Sequence, residues 1–238
     1  MKKKYLIFGA TGSIGSSLAQ QLHDDKKDCH LIGRDEDSVK KIASRLNYTY
    51  SICDVKNLNF INQIVKDLEL VDVAGIAYCI GSIDIKPFKS TQPKDFVSSF
   101  ILNVVSAADI IRAFQNNLKK NNGSVVLFST VAAKKGFPNH SIISPVKASL
   151  EGLTVSLAAE LAPNVRINCI APSLSNSKMA GRILGNSKIA EGIAKQHPLK
   201  RVGEGMDSAA LAKFLLSEES SWITGQIIGV DGGRSNVG

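Results

Sequence analysis

A glycine-rich segment near the start of the chain has the residue types and spacing of a phosphate-binding loop. Gly9, Gly12 and Gly15 are spaced Gly-x-x-Gly-x-x-Gly, between an apolar run at 5–8 and a segment of helical periodicity. Glycines there permit a tight turn and close backbone approach to a pyrophosphate, while a helix N-terminus offers free N–H groups. Glycines also form ordinary turns, so the strand-to-helix position carries the prediction. The predicted dinucleotide contacts are Gly9, Thr11, Gly12, Ser13, Ile14 and Gly15.

The end of the second apolar run bears on which dinucleotide is bound. It reads Leu31-Ile32-Gly33-Arg34. In nicotinamide sites an acidic residue at this place binds the ribose 2′-hydroxyl, whereas arginine accommodates a 2′-phosphate. Gly33 carries no charge, and the Arg34 guanidinium can hold a phosphate through two parallel hydrogen bonds. These residues predict NADP(H) in preference to NAD(H). The alternative is a surface arginine partly neutralised by Asp35 or Glu36.

Short apolar runs alternate with longer helical patterns along the chain, and these elements must position the loop. Strands are predicted at 5–8, 29–32, 48–53, 73–80, 124–129, 165–170 and 226–230, and helices at 14–22, 38–46, 58–68, 96–118, 144–161 and 207–216. Continuous apolar strands alternating with helices indicate a parallel sheet covered on both faces. The fold class is therefore α/β, with one doubly wound Rossmann domain over residues 1–238. The irregular stretch 173–200 is long for a loop and predicts a substrate lid.

Composition excludes several other classes of protein. Of the 238 residues, 44% are hydrophobic and 21% charged, the ordinary globular mix. No apolar run approaches the roughly 18 residues of a membrane span, and the run after Lys2-Lys3-Lys4 is too short for an export signal. The net charge is +8, but the positive residues are scattered and aromatics make up 6%, so neither nucleic acid nor membrane is an expected partner. Four cysteines without a C-x-x-C pair indicate free thiols, no metal site and a cytoplasmic location.

These features together resemble the short-chain dehydrogenase/reductase family, over nearly the whole chain. The resemblance rests on the glycine loop, on Asp54-Val55 after the third strand, on Asn103 in the long helix, and on the motifs ELAPNVRINCIAPS and SWITGQIIGVDGG. It implies an oxidoreductase that interconverts a carbonyl and an alcohol on a small molecule. It implies further cofactor contacts at Asp54, Val55, Gly81, Asn103, Lys147, Pro172 and Ser177. A homo-tetramer or homo-dimer is expected through the C-terminal segment 222–233.

The resemblance also implies a catalytic set of Asn, Ser, Tyr and Lys, which this chain keeps only in part. Asn103 and Lys147 match, and Thr130 takes the serine position with its hydroxyl retained. In the family, tyrosine donates a proton to the carbonyl oxygen, and the lysine ammonium lowers the pKa of the phenol. Ile143 stands at the tyrosine position, four residues before Lys147, and has no proton to give.

Several other groups are candidates for the proton donor. His140 is ranked first, because it lies three residues before Ile143 and imidazole suits general acid catalysis near neutral pH. Ser144, Thr130, Ser129 and a water held by Lys147 and Asn103 are the alternatives. The sequence thus predicts an NADP(H)-dependent oxidoreductase with an atypical donor, the alternative being a non-catalytic NADP(H)-binding sensor or scaffold. A partly apolar substrate is expected from the side chains Leu174, Met179, Ile183, Leu184 and Ile189.

Overall fold

The computed structural model describes residues 3–57 and 59–237. Within them, seven parallel strands form one sheet in the order β3-β2-β1-β4-β5-β6-β7. The strands are β1 (Lys3–Phe8), β2 (Asp28–Gly33), β3 (Thr49–Ile52), β4 (Asp72–Tyr78), β5 (Ser124–Phe128), β6 (Arg166–Pro172) and β7 (Ile227–Val230). The strand order reverses between β1 and β4, and the crevice beyond the carboxyl ends there is where such sheets bind ligands.

Helices cover both faces of the sheet. They are α1 (Ser13–Asp24), α2 (Glu36–Leu46), α3 (Phe60–Asp67), α4 (Pro93–Phe100), α5 (Ser106–Lys120), α6 (Ile143–Leu161), α7 (Gly181–Leu184), α8 (Ser187–Lys195) and α9 (Gly205–Leu216). Side chains alternate along each strand, so Leu6 and Phe8 enter the core beneath α3, α5 and α6, while Ile7 enters the core beneath α1, α2 and α9. The predicted doubly wound α/β fold is confirmed.

Two predicted elements differ from the structure. The long helix is interrupted between α4 and α5 by a π-helical turn, Ile101–Val105, which side-chain periodicity does not reveal. The segment 173–200 is not irregular throughout, because it contains α7 and α8. The predicted start of the third helix at Leu58 lies outside the described residues, as do Met1, Lys2 and Gly238.

The helical segment Pro93–Lys120 corrects one expectation from composition. By length and hydropathy it is apolar enough to cross a membrane, although the sequence was expected to contain no such segment. Its inner side chains, including Ile110, Phe114 and Leu118, are buried in the core. Core helices commonly have this composition, so the segment is weak evidence for a membrane span.

Candidate active site

The glycine loop is fixed by close contacts between backbone atoms. Gly9 has a φ of +77°, and a Cβ there would lie 2.9 Å from the carbonyl oxygen of Cys79. A Cβ on Gly15 would lie 2.4 Å from the carbonyl oxygen of Gly9. Helix α1 begins at Ser13. Its N-cap residue is Gly12, which has no side chain to accept a hydrogen bond from the first turn. The N–H groups of its first turn are therefore free to bind an anion.

The residues predicted to choose between the two dinucleotides lie at the carboxyl end of β2. Gly33 is buried, and a Cβ there would lie 2.7 Å from Val39 Cγ2, with Thr11 Cγ2 at 3.7 Å on another side. Arg34 is exposed, and its guanidinium forms no ion pair with any described residue. The Asp35 carboxylate accepts the Ser38 N–H at 2.9 Å and caps α2, so its hydrogen-bonding capacity is directed to the helix rather than to Arg34.

Asp54 and Val55 follow β3 at the same edge of the sheet. Asp54 is exposed, and its carboxylate accepts the Lys56 N–H at 3.0 Å. Val55 is buried, and its carbonyl accepts the Ser106 hydroxyl at 3.1 Å. Strand β3 pairs with β2, so the structure places these two predicted cofactor contacts next to the strand that Arg34 follows.

A cavity of about 430 Å³ lies beyond the carboxyl ends of β4, β5 and β6. The predicted site residues that line it are Ile14, Gly81, Thr130, His140, Ile143, Lys147, Pro172 and Ser177. Other walls are apolar and were not predicted from the sequence; they include Ile80, Ile83, Ile85, Phe137 and Ile193. Such a volume is within the range of small-molecule sites.

Two polar groups converge on Gly81 at the cavity wall. Lys147 is buried, and its Nζ donates to the carbonyl oxygen of Phe128 at 2.7 Å. A Cβ on Gly81 would lie 3.2 Å from Lys147 Nζ and 3.3 Å from Asn103 Oδ1. That Asn103 oxygen is buried and has no hydrogen-bond partner within the described part of the chain. Burial lowers the pKa of Lys147 to about 8. The absence of a side chain at Gly81 thus leaves a cradle lined by a cation and an unsatisfied acceptor.

The π-helical turn and a polar network orient Asn103. Such turns occur frequently at functional sites. Asn103 Nδ2 donates to the Ser99 carbonyl at 2.8 Å and to Ser82 Oγ at 3.2 Å. The hydroxyls of Ser82 and Ser99 in turn donate to Asp84 Oδ2 at 2.6 and 2.7 Å. The amide nitrogen is therefore occupied on the network side, which turns Oδ1 toward Gly81. The sequence did not indicate Asp84, because serines and an aspartate at this spacing are common on surfaces.

The position expected to hold tyrosine is occupied by hydrocarbon. Ile143 begins α6 one turn before Lys147, is 4% exposed and lines the cavity. His140 also lines the cavity, with its Nδ1 2.7 Å from the Pro138 carbonyl and its ring packed on Phe137. The structure brings His140 and Ile143 to one wall, as their spacing suggested.

The hydroxyl candidates separate into two groups. Ser129 also lines the cavity, but it donates to Glu151 Oε1 at 2.8 Å, so its proton is held on the α6 side. Ser144 lies against a different surface hollow. Thr130 lines the cavity, and its Oγ1 accepts the Ala132 N–H at 3.3 Å, which leaves the hydroxyl proton free to be donated. The geometry favours His140, Thr130 and the Lys147–Asn103 cradle over Ser129 and Ser144.

The segment after β6 forms one side of the cavity. Leu174, Met179 and Ile183 line it, as expected of a substrate lid, whereas Leu184 and Ile189 do not. Ile189 is 50% exposed on α8. The amphipathic turns of α7 and α8 explain the difference, because helical periodicity turns part of the apolar residues outward.

Comparisons with known proteins place the chain in a family. A family model described as enoyl-(acyl carrier protein) reductase matches residues 9–235. The chain is 31% identical over 243 residues to the 3-oxoacyl-[acyl-carrier-protein] reductase FabG of Rickettsia bellii (strain RML369-C), covering 98% of this chain and 96% of that protein. The solved structure of a short-chain type dehydrogenase/reductase from Mycobacterium ulcerans superposes with a TM-score of 0.91, at 26% identity, over 98% of this chain and 90% of that one. The crystal structure of YwfH, described as an NADPH dependent reductase involved in bacilysin biosynthesis, has a TM-score of 0.90 at 25% identity over 99% of both chains.

The chain therefore belongs to the short-chain dehydrogenase/reductase family of oxidoreductases. The family resemblance read from the sequence is confirmed. The roles assigned to individual site residues stay predictions.

Proposed function

We propose that the protein is an NADP(H)-dependent oxidoreductase that interconverts a carbonyl and an alcohol on a small, partly apolar molecule. The observation that carries this proposal is the cradle at Gly81, where Lys147 Nζ and the unsatisfied Asn103 Oδ1 meet the wall of a largely apolar cavity. Its relatives support it: FabG of Rickettsia bellii is named a reductase, and YwfH is described as an NADPH dependent one.

The residues present fit NADP(H). The first turn of α1 offers unpaired N–H groups for the pyrophosphate, and close contacts at Gly9 and Gly15 keep side chains out of the loop. Arg34, which directly follows Gly33 at the end of β2, would hold the 2′-phosphate. Gly33 carries no carboxylate that would repel the phosphate, and a Cβ there would lie 2.7 Å from Val39 Cγ2, so a larger residue would require Val39 to shift.

When bound, the cofactor supplies or takes up a hydride at its nicotinamide ring. In the reducing direction the substrate's carbonyl carbon gains that hydride and its oxygen gains a proton, so the product is an alcohol. The Thr130 hydroxyl would donate a hydrogen bond to the carbonyl oxygen and orient it. Lys147 provides positive charge at the same wall, which favours the negative charge that develops on that oxygen.

We assign proton donation to His140. Its Nδ1 is 2.7 Å from the Pro138 carbonyl, which fixes the ring and leaves Nε2 to exchange a proton with the substrate. A water held by Lys147 and Asn103 is the alternative route. The two routes predict different responses to the loss of the imidazole.

The test follows nicotinamide absorbance with NADPH and a panel of aldehydes and ketones, and with NADP⁺ and the corresponding alcohols. His140→Gln should lower the rate by roughly 10²-fold, the lower range of general acid catalysis, without changing NADPH affinity. The matched control, His23→Gln on the exposed side of α1, should behave as the parent. An unchanged rate in His140→Gln would instead assign the proton to Thr130 or to the Lys147–Asn103 water.

A non-catalytic NADP(H)-binding sensor or scaffold is the second candidate function. Ile143 favours it, because a buried hydrocarbon borders the cavity where the family places its proton donor. NADPH binding without turnover of any carbonyl or alcohol on the panel would support this reading. Turnover that His140→Gln suppresses would exclude it.

We further propose a homo-tetramer or homo-dimer in the cytoplasm. Strand β7 is an edge of the sheet, and Trp222 just before it is 99% exposed. The helical segment Pro93–Lys120 also leaves Val97 and Phe100 exposed. Apolar surface of this extent is commonly covered by a partner subunit. Light scattering at micromolar concentration should give a multiple of the chain mass of 25.5 kDa, and a monomer would contradict assembly.

A further inference from the structure

The cavity wall carries a cation that the proposed reaction does not use. The Arg234 guanidinium lies 4.7 Å from the centroid of the Phe137 ring. It donates to Gln196 Oε1 at 2.6 Å and to Ser173 Oγ at 3.4 Å, and the Arg234 carbonyl accepts Lys135 Nζ at 2.9 Å. Contacts from the loop after β5 and from the segment after β6 therefore hold this side chain at the cavity.

The cavity lining carries positive groups and no carboxylate in the described part of the chain. The ionisable nitrogen groups lining the cavity belong to His140, Lys147 and Arg234, and across the described residues no aspartate or glutamate lines it. Asp231 lies close enough to attract Arg234 electrostatically, but its carboxylate accepts the N–H groups of Gly233 and Ser235, each at 2.9 Å. In residues 3–57 and 59–237, no carboxylate lies within ion-pair distance of Arg234.

The guanidinium also keeps donors free. Arginine has five N–H groups in a planar fork that matches the two oxygens of a carboxylate. Two of them are used, one on Nη1 toward Ser173 and one on Nη2 toward Gln196. The face of the Phe137 ring, 4.7 Å from Arg234 Cζ, attracts the cation and favours its position at the cavity. Arg234 is thus oriented before a ligand arrives.

We infer that Arg234 binds a carboxylate of the substrate, and that the substrate is a small oxo acid, reduced to the corresponding hydroxy acid. The inference rests on the proposed function. One oxo acid, one NADPH and one proton give one hydroxy acid and one NADP⁺. Ile83, Ile85 and Met179, which also line the cavity, suit a short hydrocarbon between the carboxylate and the reacting carbonyl.

The kinetic test compares an aliphatic oxo acid with its methyl ester, which has the same carbonyl and no charge. The parent should prefer the acid by about 10- to 100-fold in kcat/KM, the usual worth of a hydrogen-bonded charge. Arg234→Gln should erase most of this ratio, and Arg234→Lys should retain part of it, because a lysine keeps the charge without the fork. Arg45→Gln removes an exposed arginine at the end of α2 and should leave the ratio as in the parent. Equal kcat/KM for acid and ester in the parent, or a ratio that survives Arg234→Gln, would overturn the inference while the proposed function stands.

A binding measurement separates the inference from turnover. Calorimetric titration of 4-methylpentanoate and of its primary amide into the NADP⁺-loaded protein should show binding of the carboxylate about ten-fold or more tighter, and only when Arg234 is present. Carboxylate binding that requires Arg234, in a protein that reduces nothing, would sustain the anion site and refute the proposed function. Equal binding of carboxylate and amide would refute the anion site.

Discussion

The candidate site has two ends. The dinucleotide end contains the glycine loop and Arg34, and the reacting end contains Gly81, Lys147 and Ile143. Different kinds of contact constrain them. At the dinucleotide end, Gly9 and Gly15 are required because a Cβ would meet backbone carbonyl oxygens at 2.9 and 2.4 Å. At the reacting end, Gly81 faces side chains instead, namely those of Lys147 and Asn103. A backbone clash cannot be relieved by one substitution elsewhere, whereas a set of side chains can lose or exchange one member. The difference explains how the loop keeps the family spacing while the reacting end carries Ile143.

The reacting end nevertheless keeps an ordered polar arrangement around Ile143. The π-helical turn, the contacts of Asn103 and the burial of Lys147 are all present around the substituted position. Asp84 anchors this arrangement through Ser82 and Ser99. The departure from the family pattern at this end is thus greatest at the group that would donate a proton. Restoring a proton donor at position 143 therefore tests most directly whether the reacting end differs from the family in this group alone.

The largest effect is expected from Ile143→Tyr. The new phenol would stand one helical turn before Lys147 at the wall of the cavity, where the ammonium favours its ionised form. General acid catalysis contributes typically 10²–10⁴-fold, so NADPH-dependent reduction of a reactive diketone should rise by about that factor. The decrease of NADPH absorbance measures it.

Ile143→Phe is the matched control, because it adds the same ring without the hydroxyl. Its rate should stay at the level of the parent. If the tyrosine and phenylalanine variants reduce the diketone equally slowly, both with NADPH bound, then the reacting end is not arranged for carbonyl reduction.

The sequence predicted the dinucleotide end better than the reacting end for a physical reason. The glycine loop, the alternation of strands and helices, and Arg34 depend on contiguous residues and on periodicity, which one sequence displays directly. The cavity walls come from segments far apart in the chain, such as Ile85, Ile193 and Arg234. The residues around Arg234 in the sequence do not indicate that its guanidinium contacts Phe137. The π-helical turn was missed because it leaves the apolar pattern of the helix nearly unchanged.

The dinucleotide end is tested by Arg34→Ala. Loss of a charge-assisted hydrogen bond to the 2′-phosphate should weaken NADPH binding about 10- to 100-fold and leave NADH binding nearly unchanged. Calorimetric titration of both cofactors gives the ratio. Arg45→Ala, on the exposed surface of α2, controls for the loss of one positive charge. NADH affinity equal to that of NADPH in the parent would show that Arg34 does not select the cofactor.

The smallest expected effect is the contribution of Lys147 to the pH dependence of the free energy of unfolding. Burial lowers the pKa of Lys147 from its ordinary value of 10.5 to about 8 in the folded protein. Between these values the unfolded chain binds a proton that the folded chain has released, so the free energy of unfolding should increase as pH rises from about 8 toward 10.5. The slope contributed by this group is at most about 1.4 kcal/mol per pH unit. Below pH 8 both states hold the proton, and the cost of burying the charge is present in full.

Urea unfolding at pH 7, 8.5 and 9.5 measures this contribution in the protein without cofactor. Lys147→Met should be more stable than the parent at pH 7, and its advantage should shrink at each higher pH, because only the parent gains stability by losing the buried charge. Lys119→Met, on the exposed side of α5, should follow the parent at every pH. A constant difference between Lys147→Met and the parent would mean that the ammonium is well solvated at this wall. In that case solvent would screen the charge that Lys147 presents to an incoming substrate. The ammonium would then stabilise negative charge on the substrate's oxygen less.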